Sequence, residues 1–392
     1  MEDSAALSIL LRSGAPMAAL RGALAQAGSA TALHALGPAG WRQAGITGDV
    51  IERILRPDPR AQVRDAAWLA GAGHRLVGWH EQDYPGMLRQ LDHPPAGLYV
   101  VGDVNLLWHP QVAVVGSRRP SAGGRDNARC FARAFAESGL AVCSGLAEGI
   151  DTEAHLGALQ AGRTVAVLGT GPDRCFPADN AGLMERIGAE GAVVTEHPPG
   201  TPGIASHFPS RNRIIAGLSL GTVVVEAALR SGALITARLC SEAGREAFAV
   251  PGSIHNPMAR GCHRLIREGT QLAESPQDVI ESLAHVAAAH AALLRGRLAA
   301  ALPDPDVAWA AERGRRERPQ RSGTSGQGLF PAGPPQDSGE ALLWRSLGHD
   351  PVNIDQLCNR TGLTLGPLSA MLLSMELDGR ITAEHGHYIR RC

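Results

Sequence analysis

No lysine occurs anywhere in the 392 residues, so all 37 basic side chains are arginine. That absence excludes a P-loop lysine, a Schiff-base lysine and a lysine general base, whatever the fold. Any anion must then be held by arginine, backbone N–H groups or hydroxyls, a set suited to planar, bidentate phosphate recognition. Arginine-biased coding explains the same absence, and the two accounts are compatible. Aromatic residues are also scarce, at 4% of the chain, so a ring placed beside arginines stands out. No apolar run approaches the roughly 18–20 residues of a membrane span. The start, MEDSAALSILLRSG, lacks the basic region and cleavage-like site of a secretory leader, which makes the cytoplasm the default expectation. The seven cysteines stand singly, with no CxxC pair. They predict neither a disulfide framework nor a zinc site, but reduced, mostly buried thiols. Histidines such as His285 and His290, or His385 and His387, do not fall at ligand spacing beside cysteines or carboxylates. Neither a metal nor a cofactor is expected.

What is present is an ordinary globular composition, 44% hydrophobic with a formal net charge of −1, in a chain long enough for two or three domains. Residues 1–75 show apolar positions at helical spacing in ALSILLRSG, MAALRGALAQAG and VIERILRP, punctuated by Gly and Pro. Residues 76–285 contain the Val-rich runs VAVVG, LAVCSG, TVAVLG, AVVTE, TVVVEA and EAFAVPG, separated by helical patterns and preceded by a short strand, LYVVGD. Continuous apolar strands alternating with helices imply a parallel sheet buried on both faces, hence a doubly wound α/β domain. A helix follows Pro276, and residues 286–337 continue from it into a Pro-, Gly-, Ser- and Arg-rich linker from 303 onward. Its ERGRRERPQR run is better explained as a solvated charge run than as a nucleic-acid contact. Residues 338–392 read as three helices and a two-stranded wing around His385-Gly386, the pattern of a winged helix. Leu363 to Gly379 contains no basic residue and carries Glu376 and Asp378, which favours a protein-contact or folding role over duplex reading.

In open α/β sheets, ligands bind outside the carboxyl ends of the strands. Five loops at those ends carry unusual residues. In GSRRPSAGG, Gly116 permits a tight turn, Ser117 offers a hydroxyl, and Arg118 and Arg119 stand where a helix begins, whose free N–H groups favour anions. The same loop is equally a plain strand-to-helix turn with solvent-facing arginines. SGLAEGID brings Ser144 and Gly145, with Asp151 open to a site role or a simple helix cap. GTGPDRCFP sets Gly169 and Gly171 at a phosphate-loop spacing, without a third glycine. SHFPSRNRIIAGLS is the fourth loop and SGALITAR, with a helix start at Ser231-Gly232, the fifth.

Single-stranded nucleic acid is bound by a basic track combined with aromatic faces on which bases stack. Phe208, followed by Arg211, Asn212 and Arg213, supplies both ingredients within six residues. The competing account places Phe208 in the core beside Pro209, with the arginines paired to acidic neighbours.

In order and spacing, GSRRPSAGG, SGLAEGIDTEAH, GTGPDRCFP, FPSRNRIIAGLSLGTVVVEAALRSGALITA, GREAFAVPGSI and GCHRLIREGT closely resemble the DNA processing protein A family, DprA or Smf. The resemblance implies an extended Rossmann-like core flanked by a SAM-like helical domain and a winged helix. It implies a non-enzymatic protein that binds and protects incoming single-stranded DNA in natural transformation. Its expected partners are RecA recombinase, which it helps to load, single-strand-binding protein, and a second copy in a homodimer. By the same resemblance Arg118 clamps a phosphate, Phe208 stacks on a base, and Arg211 and Arg213 line the same groove. Gly116, Ser117, Ser144, Gly145, Gly169 and Gly171 match the small residues of the pocket. Pro172 and Cys175 depart from the pattern, and any lysine contact of relatives must here be arginine or absent.

Two other classes compete. GLSLGTVVVEA resembles the GGxGTxxE segment of lysine-decarboxylase-like phosphoribohydrolases, which would set Glu226 to act on a nucleoside monophosphate. Alternatively, the chain is a scaffold whose winged helix recruits a protein.

Overall fold

The computed structural model describes residues 1–301 and 339–390, apart from 349, 379 and 385. The linker expected from residue 303 to 337, and His385 of the wing, lie outside the described residues. The chain divides into two compact units, Met1–His290 and Ala291–Cys392.

In the first unit, six short helices precede the sheet: α1 (Asp3–Arg12), α2 (Met17–Ala27), α3 (Ala30–Ala35), α4 (Gly37–Gln43), α5 (Asp49–Leu55) and α6 (Pro59–Leu69). Their boundaries follow local chemistry. Gly28 ends α2 in the left-handed region, and the Ser29 side chain accepts from the Ala32 N–H to start α3. Pro59 opens α6 behind an Asp58 cap. The apolar faces bury Leu7, Leu10, Leu24, Leu33 and Trp41 in one core with Leu76 and Tyr99 of the sheet. Each such side chain contributes about 1.5–3 kcal/mol.

The sheet begins with a hairpin, β1 (His74–Gly78) and β2 (Gly97–Gly102), with α7 (Gly86–Arg89) between them. The Val-rich runs form β3 (Gln111–Val115), β4 (Ala141–Ser144), β5 (Thr164–Val167), β6 (Ala192–Thr195), β7 (Gly221–Val224) and β8 (Glu246–Ala249), and β9 (Gln271–Leu272) extends the edge. Helices α8 (Ala122–Glu137), α9 (Ile150–Ala158), α10 (Ala181–Glu190), α11 (His207–Leu218), α12 (Gly232–Glu242) and α13 (Arg260–Arg267) connect them, and α14 (Pro276–Ala301) follows. The spatial order is β1-β2-β6-β5-β4-β3-β7-β8-β9. From β6 to β9 every neighbouring pair is parallel. The hairpin joins antiparallel, β2 to β6, so the sheet is mixed, and it carries two strands, β1 and the two-residue β9, that the sequence pattern did not announce. Val112, Val114 and Val142 pack on Phe131 and Phe135 of α8, while Ala113, Val115 and Val165 on the other face pack on Ile214 and Ile215 of α11. Burial on both faces is what the uninterrupted Val runs required.

The second unit contains α15 (Gly339–Leu347), β10 (Val352–Asn353), α16 (Ile354–Thr361), α17 (Leu365–Leu377) and the wing strands β11 (Ile381–Glu384) and β12 (His387–Arg390). Asn353 and Gln356 form a reciprocal capping box at α16. Leu343, Leu357, Leu368, Leu372 and Met375 make the core.

Candidate nucleic-acid interface

The strand order reverses at β3 and β7, whose carboxyl ends diverge into α8 and α12. Such a switch point opens a crevice. Here it is a cleft of about 590 Å³ whose lining includes Gly116, Arg118, Phe176, Phe208, Arg211 and Asn212. Arg118 is exposed, and its guanidinium carbon lies 5.9 Å from the centroid of the Phe208 ring. The Phe176 ring is 5.0 Å from that of Phe208 and is 50% exposed. A cation and two rings thus meet on one wall, a combination that offers a charge to a phosphate and a face to a base.

The FPSRNR stretch, expected as a loop, is the first half of α11. Pro209 is tolerated because it stands in the first turn, where no intrahelical acceptor needs its missing N–H. The helix changes what its arginines can do. Residues two apart project from different sides of a helix, and Arg211 and Arg213 accordingly diverge. Arg211 turns inward and is 4% exposed. Its Nη1 donates to the carbonyls of Gly145, at 2.6 Å, and Val167, and its Nε to Asn212 Oδ1 at 3.1 Å. Its Nη2 lies 4.0 Å from Asp151. Burial lowers the Arg211 pKa and raises that of Asp151, each partly offset by the other's charge. Arg213 lies outside the cleft lining and ion-pairs with Glu196 at 2.5 Å. The expectation that both line the groove therefore holds for Arg211 and is revised for Arg213. Arg211 braces the cleft floor, and Arg213 is not among the residues that line it.

Asp151 also holds the turn after β4. Its Oδ2 accepts from Gly145 N at 3.1 Å and Ala147 N at 3.4 Å, either side of Leu146, a non-glycine residue at φ 56°. Such a conformation costs about 1–3 kcal/mol and persists only where its surroundings dictate it. Gly145 must be glycine for a different reason, since any Cβ would overlap the Arg211 guanidinium.

The remaining small residues support the loops. Ser117 is buried, donates its N–H to the Glu226 carbonyl at 2.6 Å and accepts the Arg119 N–H at 3.0 Å, while Arg119 itself is exposed and outside the cleft lining. Ser144 donates to the Val114 carbonyl, Gly169 packs against the Phe208 ring, and Gly171 N donates to Thr201 O. Glu226 is 6% exposed, and its carboxylate accepts from Ser121 N, Ser121 Oγ and Asn256 Nδ2 at 2.6–2.9 Å. It ties β7 to the start of α8, and so holds the loop that carries Arg118. Ser231 caps α12, as expected. Of the described cysteines, Cys143, Cys240 and Cys262 are buried and Cys130 is exposed. Sequence reasoning missed Phe176; the available signal was a rare ring inside a loop already marked by its glycines.

The sequence model of the DNA recombination-mediator protein A family matches residues 75–284. The chain belongs to that family. The DprA winged helix domain matches residues 330–387. Among relatives of this DprA family, Protein Smf of Escherichia coli K12 is 36% identical over 355 residues, covering 89% of this chain and 86% of its own. DNA processing protein DprA of Streptococcus pneumoniae is 46% identical over 198 residues, 50% of this chain and 70% of its own. The X-ray structure of the S. pneumoniae DprA superposes with a TM-score of 0.62 at 34% identity, over 72% of this chain and 98% of that one. A Helicobacter pylori DNA processing protein A, solved for its single-stranded DNA binding mode, gives a TM-score of 0.50 at 28% identity over 54% of this chain and 96% of that one. The mixed α/β core and the winged helix thus match the architecture expected from the sequence. Among the described residues no helix is long and apolar enough to cross a membrane.

Proposed function

We propose that the chain is a single-stranded DNA-binding recombination mediator that protects incoming strands and helps load RecA recombinase. The observation that carries this reading is the wall formed by Arg118, Phe208 and Phe176 at the switch-point cleft. Homologous DprA proteins and the single-strand binding of the H. pylori relative support it. A single strand exposes base faces that a duplex hides, so rings in a cleft select the former. The proposal includes a cytoplasmic location, a homodimer, and RecA and single-strand-binding protein as partners, all following from the family.

It also holds that the protein is not an enzyme. The phosphoribohydrolase alternative needs a Glu226 that can reach a nucleotide, yet that carboxylate is occupied by three donors and is not among the residues lining the cleft. The test is a mobility shift on a poly-dT oligonucleotide and on a duplex of equal length at two salt concentrations. The single strand should bind more tightly, with cooperative and salt-sensitive binding. Equal binding of the duplex would refute the proposal, and release of free base from nucleoside monophosphates would favour the enzyme.

A further inference from the structure

The segment from Glu196 to Ser206 joins β6 to α11 and delivers Phe208 to the cleft. Gly203 in that segment packs on both rings: a Cβ there would stand 3.4 Å from Phe208 and 3.5 Å from Phe176. Whatever fixes the segment therefore fixes the aromatic wall. On its inner side it is tied to the loop after β5, by Gly171 N donating to Thr201 O at 3.0 Å and Gly200 N to Asp173 Oδ1 at 2.7 Å. Its outer side is held by the amino-terminal helices. Arg12 of α1 donates through Nη2 to the Pro199 carbonyl at 2.7 Å. The same guanidinium forms a fork on Asp65 of α6, Nε to Oδ2 at 2.6 Å and Nη2 to Oδ1 at 2.5 Å, and Asp65 also accepts from Ser8 Oγ. Asp65 is 5% exposed, so the fork is anchored in a protected place and aims the remaining donor capacity at Pro199. One residue on, Gly200 at φ +85° lies so close to Arg64 of α6 that any side chain would overlap its guanidinium.

We infer that the amino-terminal helical layer sets the position of the aromatic wall, with Arg12 as a positioning residue that acts through the Pro199 carbonyl. This rests on reading the cleft as the single-strand site. Arg12 never touches DNA in this scheme. It holds the backbone against which the two rings lean, so the helical layer becomes part of the binding apparatus.

Arg12→Lys separates positioning from folding. A lysine keeps a cation opposite Asp65, but its single ammonium cannot reproduce the fork and reach Pro199 together. Arg64→Ala, at an exposed side chain, is a second variant that leaves the core intact. The readouts on the full-length protein are thermal unfolding and affinity for a dT oligonucleotide. A 2-aminopurine base in that oligonucleotide reports stacking. Arg12→Lys should fold normally, bind about three- to tenfold more weakly, as loss of one hydrogen bond allows, and show reduced quenching of the 2-aminopurine. Its salt dependence should match wild type, because no phosphate contact is lost. Arg64→Ala should shift affinity in the same direction by a smaller factor. In a Phe208→Ala background Arg12→Lys should add little, since both act on one wall. Wild-type affinity and quenching in folded Arg12→Lys and Arg64→Ala, or full additivity with Phe208→Ala, would overturn the inference alone. Wild-type binding by Phe208→Ala itself would overturn the cleft reading, and the inference with it.

Discussion

The cleft at the strand ends and the third helix of the winged domain are both shapes that nucleic-acid-binding proteins use, yet they spend their side chains differently. At the cleft, Arg118 is exposed beside two rings. On α17 the exposed large apolar side chains are Leu365, Leu373 and Leu377, at 58%, 58% and 80%, beside an exposed Glu376, and the helix contains no basic residue. The winged domain does have arginines near a ring, but Arg380 and Arg390 lie over its own Trp344 at 4.8 and 4.4 Å. Architecture alone therefore does not assign a nucleic-acid surface; the disposition of charge and ring does.

The strongest challenge to this contrast is Arg211→Ala. Because Arg211 braces the cleft floor, its loss leaves the buried Asp151 without its opposite charge and takes a donor from two carbonyls. We expect urea unfolding to register a loss of about 3–5 kcal/mol. A mild effect would return Arg211 to the role of a surface grip. Phe208→Ala and Phe176→Ala should each weaken dT binding by about 1–3 kcal/mol in fluorescence anisotropy, with the salt slope retained.

Acid should probe the same region through His155 and His197, whose pKa values burial depresses to about 3 and about 4 against an ordinary 6.5. Above pH 6.5 both states are neutral there and stability is full. As pH falls towards 4 the unfolded chain takes up protons that the folded one refuses, and each histidine removes on the order of 1.4 kcal/mol per unit. Urea midpoints measured from pH 7 to 4 should show this decline, and His197→Asn should flatten it. Arg118→Ala should flatten the slope of log affinity against log salt by about 0.7, the value for one phosphate contact on a single strand. The smallest effect is expected from Leu373→Asp with Leu377→Asp on α17, which should leave single-strand affinity within about twofold if function follows chemistry and not shape. A larger loss would break the contrast.

Most of the fold was legible because valine runs buried on two faces have no other good explanation. β1 escaped notice because HRLVG opens with His74 and Arg75 at the sheet's edge, where one side needs no apolar cover. At the site, Arg118, Phe208 and the glycines could be read from strand-end position. The burial of Arg211 could not, since a fully buried arginine is rare and this one depends on the carbonyls of Gly145, just after β4, and Val167 of β5, which are remote in sequence. Nor could the divergence of Arg211 and Arg213, which exists only once the segment is helical. Arg12 and Asp65 lie in a stretch that carried no chemical motif, and only their convergence with Pro199 gives them a role.

The parallel pairing of β3 with β7, Val112 against Gly221, brings together segments synthesised far apart in time. All of β4, β5 and β6 must be made before the strand that completes the crevice can dock. With contacts about a hundred residues apart, closure falls among the slow, late steps of folding. A nascent chain still short of β7 would expose one half of the crevice, with Arg118 in place and Phe208 not yet seated. Ribosome-stalled chains ending before and after β7 should accordingly differ in their capacity to capture a single strand.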